Sequence, residues 1–370
     1  MQPTIAVDIG AFAGLFVLSS LIRRRFKHRG YSATGAGGIV MSTGVFTAFA
    51  FTQLPMYTPL LGRLATIEIF VIWLFLAWSF GSSFVNRHFR MHYAHPLRRF
   101  AMGTWVAGTA VLATLATRSM PEAIWFSRVL ALVAVAIYLP YVVLFVQGYA
   151  QLWRHPLQQR ANGVILLATV STQSIVLALH ANFGGSFPVG IEIGLVAFDV
   201  VFLCSGLVLI ALHYHAVRSW FLAIEWKNAN CIIHGAVSIT GLALVLTSNF
   251  GGDVIFGVWQ VALVLFVLIE AIEFIRMSER EHRRGLRPGL LVYDVTQWTR
   301  NFTFGMFYAF SLELYQNFSK LHSVESDFWF PLLQAIAHWG HYAVLAALVI
   351  EITLFLRARL HLFWPKPHHA

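Results

Sequence analysis

The sequence predicts an all-α polytopic membrane protein, and three observations carry that prediction. Hydrophobic residues make up 58% of the chain and charged ones only 11%, against about 25% charged in ordinary soluble domains. Apolar character runs along the whole length instead of collecting in one anchor, with a mean hydropathy of +0.68. The basic residues gather in alternate loops, the pattern that orients membrane proteins.

A span needs roughly 20 apolar residues at about 1.5 Å each. Runs bounded by charges or turn residues predict eleven: 5–22, 35–53, 65–86, 101–117, 122–149, 161–181, 189–213, 229–249, 253–276, 298–316 and 329–355. Residues 1–34 form an extra first span with its basic loop, 35–356 a ten-helix unit, and 357–370 a short tail. No basic residue precedes the first span, and Arg23, Arg24 and Arg25 follow it, so it reads as an uncleaved anchor. Twenty Lys and Arg fall on one set of loops, against Arg63, Arg118 and Lys320 on the other. That bias puts the N-terminus outside and the C-terminus in the cytoplasm of a multi-pass cell-membrane protein. The same rule accounts for much of the net charge of +10, so the basic run 276–287 reads as a solvated topological anchor and not as a ligand or nucleic-acid site.

After the first span, the other ten pair into five hairpins, and their two members differ regularly. First members carry small and hydroxyl residues: Gly37, Gly38, Ser42, Thr43 and Gly44; Gly103, Thr104, Gly108 and Thr109; Thr169, Ser171, Thr172, Gln173 and Ser174; His234, Gly235, Ser238, Thr240 and Gly241; Asn301, Thr303, Gly305 and Ser311. Second members are bulkier, as in the run 69–76. Small residues let helices approach closely in lipid, but five in strict alternation predict an inner ring around a water-filled route, shielded by five outer helices. In the stretch 298–316, Asn301, Phe304, Gly305, Tyr308, Ser311 and Tyr315 share one side of a helix. A side so polar must turn from lipid, and it is expected to line the route.

Several segments resemble the tellurite-resistance/dicarboxylate transporter family, which includes slow anion channels. The run 37–44 is similar to that family's first-helix signature, with Ser42 in place of a glycine; His95-Pro96 resembles a helix-start pattern; 168–174, 230–241 and 302–306 resemble its fifth, seventh and ninth helices. The resemblance implies five hairpins around a central pore, a homotrimer, and passage of small anions such as inorganic anions, sulfite or C4-dicarboxylates. It also implies a phenylalanine gate on the ninth helix. One alignment gives Phe302 and another Phe304; helical phase with the polar side of 298–316 favours Phe304, about 200° from Phe302. The lining set expected from both arguments is Thr43, Gly44, Thr104, Gly108, Thr172, Gln173, His234, Ser238, Asn301 and Gly305. Hydroxyls and amides there offer donors to an anion without trapping it.

Within spans, Asp199 stands out, because a mid-membrane carboxylate costs about 2.5–3.5 kcal/mol on insertion scales. It is either a proton-coupling site, with His234 as a second candidate, or a helix–helix hydrogen bond. A proton-coupled dicarboxylate carrier is therefore the alternative to a channel. Glu270 and Glu273 are placed to reach Arg276. His180, His338 and His341 raise a third reading, a haem redox protein, which needs histidines facing one another at one depth. The two cysteines, Cys204 and Cys231, lie in apolar spans and point to neither disulfide nor metal. No phosphate loop, dinucleotide glycine pattern or nucleophile elbow is present, so neither an enzyme nor a cofactor is expected.

Overall fold

The computed structural model describes residues 5–25, 31–155, 161–217, 222–247, 249–285, 291–321 and 328–361. Among these, regular structure is entirely helical. In lipid each backbone amide and carbonyl must find its partner within its own segment, and an uninterrupted helix supplies that. The long helices are α1 (Ile5–Arg25), α2 (Gly38–Val45, continued by a π-turn Phe46–Ala50), α3 (Pro59–Val85), α5 (Gly103–Ser119), α6 (Ile124–Arg154) and α7 (Leu167–Phe183). They are followed by α8 (Val189–Ala216), α10 (Ile232–Thr247), α11 (Gly252–Arg284), α12 (Gln297–Leu321) and α13 (Phe330–His361), with short α4 (Arg90–Tyr93) and α9 (Leu222–Glu225) between them.

Among the described residues, nine helices are long and apolar enough to cross a membrane. The two other predicted spans are α1, whose apolar part is shorter, and α12, whose Thr, Asn, Glu and Gln lower its hydropathy. The span predicted at 65–86 starts six residues earlier, since Pro59 opens α3 and the Thr58 hydroxyl accepts from Leu61 N at 3.2 Å. Arg63 therefore belongs to a helix and not to a loop.

Five helices form a closed ring in the order α2, α5, α7, α10, α12 and back to α2. A glycine sits at each junction, where an added Cβ would run into the neighbour. Gly37 meets Thr104, Gly103 meets the Leu167 carbonyl, Gly163 meets the Ala229 carbonyl, Gly235 meets Thr303, and Gly305 meets Val45. Without a hydrophobic drive between helices in lipid, this close fit is what holds the ring. The first four ring helices are each entered through a 3-10 turn: Thr34–Gly37, Arg98–Met102, Gly163–Leu166 and Asn228–Cys231. The ring helices all run the same way and begin on the side that carries the basic loops.

The bulkier helices pack outside. α3 lies on α5 and α2, α6 on α5 and α7, α8 on α7, α11 on α10, and α13 on α12. They leave Trp78, Trp125, Val201, Phe274 and Trp339 exposed, as a lipid-facing wall does. The extra helix α1 stacks Phe12 and Phe16 on Phe70 and Phe75 of α3. Its Asp8 pairs with the buried Arg63, which also holds Glu122 at the start of α6.

Candidate functional site

The ring encloses a cavity of about 180 Å³ near the ends of its helices. Each ring helix contributes to the lining, with Val45, Val111, Ser174, Ile239 and Met306 among them, and Arg118 and His180 at the rim. One turn toward the basic side, four residues earlier on each helix, lie Met41, Ala107, Val170, Gly235 and Phe302. All five are buried. The axis is thus sealed by an apolar belt in which Phe302 is the largest side chain.

On the basic side, a second cavity of about 490 Å³ opens between the starts of four ring helices. Its lining includes Arg98 before α5, Asn162 and Val164 before α7, Asn228 and Ala229 before α10, and Thr296 and Gln297 at α12. Helix starts carry unpaired amides and the positive end of the helix dipole, which favour anions. Between Gln297 and Met306, nine residues of helix, the two cavities are roughly 13 Å apart along the axis.

This geometry corrects much of the expected lining set. Phe304 lies two residues from the axial Met306 and so about 160° away around α12. Its ring sits 5.4 Å from Phe266 of α11 and 6.3 Å from His234, facing the outer layer. The remainder of that polar side of α12 does the same. Ser311 accepts from Trp259 of α11 at 2.9 Å, Tyr308 donates to the Ala337 carbonyl of α13 at 3.3 Å, and Tyr315 packs on Phe330 and His338. Asn301 is buried five residues, about 140°, from Met306. The side lines a helix–helix interface because outer helices, and not water, supply its partners.

The other ring helices repeat the arrangement. Thr43 is two residues from Val45, and its hydroxyl bonds back to the Ile39 carbonyl at 2.7 Å. Thr172 meets Tyr138 of α6 at 2.8 Å. Gln173 donates to Asp199 of α8 at 2.8 Å. His234 points at Phe266 and Glu270 of α11. Ser238 is buried and bonds back to the His234 carbonyl at 2.7 Å. Gly44, Gly108 and Gly305 sit at junctions, where they admit Val111, Val40 and Val45. Thr104 sits at the α2–α5 junction against Gly37, with its hydroxyl given to the Ala101 carbonyl at 2.8 Å. Sequence reasoning placed these small and hydroxyl residues on the axis, whereas most of them close the seams beside it or bond to the outer layer. The axial residues it missed are Met41, Val45, Val111, Val170, Ile239 and Met306; in α2 and α12 they belong to an apolar pair spaced four apart, Met41 with Val45 and Phe302 with Met306.

Two polar clusters lie behind the ring. Asp199 is buried between α7, α8 and α10, where its Oδ2 accepts from Gln173 and from Thr240 at 3.3 Å. Its Oδ1 and the Gln173 Oε1 have no hydrogen-bond partner among the described residues. No cation pairs with this carboxylate among the described residues. The second cluster is an ionic chain. Arg276 binds Asn228 at 2.6 Å and Glu273 at 2.7 Å, Arg300 binds Glu273 at 3.0 Å and also Glu270, and Glu270 Oε1 stands 3.8 Å from the buried His234 Nε2. Glu270 therefore reaches Arg300 of α12, not Arg276 as expected.

The haem set is not brought together. His180 pairs with Glu192 at 2.9 Å, His338 lies against Tyr315, and His341 against Tyr308 and Tyr342. Among the described residues no three His, Cys, Asp or Glu side chains form a metal-binding group. Cys204 and Cys231 are free thiols. No family model matches the chain, and no curated protein matches it.

Proposed function

We propose that the ring is a route for small anions, closed in this conformation by the apolar belt around Phe302. The observation that carries this reading is the distribution of charge along the axis. Cations gather at one end, with Arg98, Lys227, Arg276, Arg280 and Arg284 around the basic cavity, while Arg118 at the rim of the other cavity is paired with Glu313 at 3.0 Å. The belt between them is uncharged. An anion is thus drawn in at the basic end and meets no deep electrostatic trap along the axis, as conduction requires. A dry constriction gates by excluding water, and a phenylalanine that changes rotamer would admit it.

The resemblance to the tellurite-resistance/dicarboxylate transporter family points the same way, with Phe302 and not Phe304 in the gating place. In that reading the basic cavity is cytoplasmic, and the homotrimer is checked by native mass spectrometry in detergent. Phe302→Ala is expected to raise chloride or nitrate flux into liposomes at least tenfold, while Phe304→Ala leaves it near the parent rate. Equal rates for Phe302→Ala and the parent, with both proteins folded, would remove the gate assignment.

A proton-coupled carrier is the second reading, favoured by one observation: Asp199 is fully buried with no cation beside it among the described residues, a setting that favours the protonated acid. A carrier's reversal potential shifts with the pH gradient, whereas a channel's follows the anion alone.

A further inference from the structure

The basic cavity holds more charge than the capture of a single halide needs. Five cationic side chains from three separate segments converge on it: Arg98, Lys227, and the arginines at 276, 280 and 284. The last three are spaced four apart on α11 and so share one face. Like charges at that spacing destabilise a helix, and here all three line the same hollow. Arg276 is neutralised by Glu273 at 2.7 Å. The other four have no carboxylate partner among the described residues. Arg98 donates to the Met91 carbonyl at 3.0 Å and Lys227 to the Ile224 carbonyl at 2.7 Å, both neutral acceptors. The single acid in the lining, Asp294, is occupied by the Thr296 amide at 2.8 Å and by the Thr296 hydroxyl.

Topology alone does not ask for this. The positive-inside bias counts basic residues in a loop wherever they point, and the sequence reading of 276–287 as a solvated anchor rested on that count. The structure turns Arg276, Arg280 and Arg284 toward one cavity shared with Arg98 and Lys227. Its volume, about 490 Å³, falls in the range of small-molecule sites, about 300–1,000 Å³. Four unneutralised cations facing one acid call for an anion of about three charges, and each phosphoryl group carries roughly −1.5 to −2 near neutral pH. Arginine forks match phosphate oxygens two at a time.

We infer that this cavity is a binding site for a multiply charged phosphate group, carried by a soluble phosphate ester or by a phosphorylated lipid headgroup. Binding does not require that the ring conduct, so the site stands or falls separately from the anion route.

The test uses the full chain. Inorganic pyrophosphate is titrated by calorimetry into detergent-solubilised protein. In parallel, nanodiscs of phosphatidylcholine are compared with nanodiscs containing phosphatidylinositol phosphate, read by melting temperature. The variant is Arg280→Gln/Arg284→Gln. The control is Arg283→Gln, which removes one positive charge from the same helix outside the lining. Saturable pyrophosphate binding is expected, weakened about tenfold or more in the double variant, unchanged in the control, and tightened by Asp294→Asn. If only the inositol-lipid nanodiscs give a stabilisation that the double variant loses, the phosphate source is the lipid. The proposal is overturned if neither probe binds the folded parent, or if the double variant and the control respond alike.

Discussion

The two faces of each ring helix have opposite chemistry, and the difference runs against intuition. The axial face is apolar, with Met41, Val45, Val111, Val170, Ile239, Phe302 and Met306. The hydroxyls and amides lie on the flanks and backs. They bond to their own helix carbonyls, as Thr43 does to Ile39 at 2.7 Å, or to the outer layer, as Thr172 does to Tyr138. In lipid an unpaired polar group costs several kcal/mol, so polar side chains go where a partner is certain. In the proposed route a dry axis leaves selectivity to the charges beyond it.

The harshest way to break this comparison is at a seam. A Cβ on Gly163 would strike the Ala229 carbonyl, which cannot move without α10. Gly163→Val is expected to cost more than the 1–3 kcal/mol typical of overpacking and to abolish folded yield on size exclusion. Gly14→Ala on α1, where nothing lies within 4 Å of the added atom, should leave yield unchanged.

The faces are distinguished next by labelling. In a Phe302→Ala background, cysteines placed at 111, 174 and 306 should react with a water-soluble thiol reagent at least tenfold faster than cysteines at 43, 172 and 234. The reverse order would put the route behind the ring.

How much of this was legible in the sequence follows from what sequence encodes. Hydropathy and the small-versus-bulky alternation located the helices and assigned five to the inside, because both depend on composition along the chain. Which face looks inward did not follow. Gly305 and Asn301 could equally have bordered water or a neighbouring helix, and helical phase alone is blind to that choice. Phe304 was preferred over Phe302 for the same reason: it was grouped with Ser311 and Tyr308, whose partners, Trp259 and the Ala337 carbonyl, lie on helices distant in sequence. The convergence of Arg98, Lys227 and Arg280 was hidden likewise, since it joins segments far apart in the chain.

A smaller effect is expected where the back of the ring meets α8. Gln173→Ala removes the amide that donates to Asp199 and should cost about 1–3 kcal/mol, the penalty for orphaning a buried polar group. Asp199→Asn keeps the shape of a protonated acid, so its melting temperature should stay close to the parent's. If Asp199→Asn destabilises as strongly as Gln173→Ala, then Asp199 is ionised and has a cationic partner.

The smallest effect lies outside the ring, on the loop that joins α3 to α5. His92 is fully buried, and its two ring nitrogens meet the Thr34 hydroxyl at 2.9 Å and the Ser83 hydroxyl at 3.2 Å. Phe80, Phe89 and Trp105 surround it. Burial, with help from Arg98, holds its pKa below the ordinary 6.5. The folded protein therefore binds fewer protons here than the unfolded chain does, and stability must rise with pH. The contribution of His92 is complete above about pH 6.5 and is lost as pH falls below it, by about 1.4 kcal/mol for each unit of depression once both states are protonated. Melting temperature should accordingly fall between about pH 7 and about pH 5. In His92→Gln, which keeps a donor and an acceptor but no titrating group, that part of the slope should vanish. An unchanged slope would mean that His92 binds protons equally in the folded and unfolded chain, so that its burial does not disfavour the charged ring.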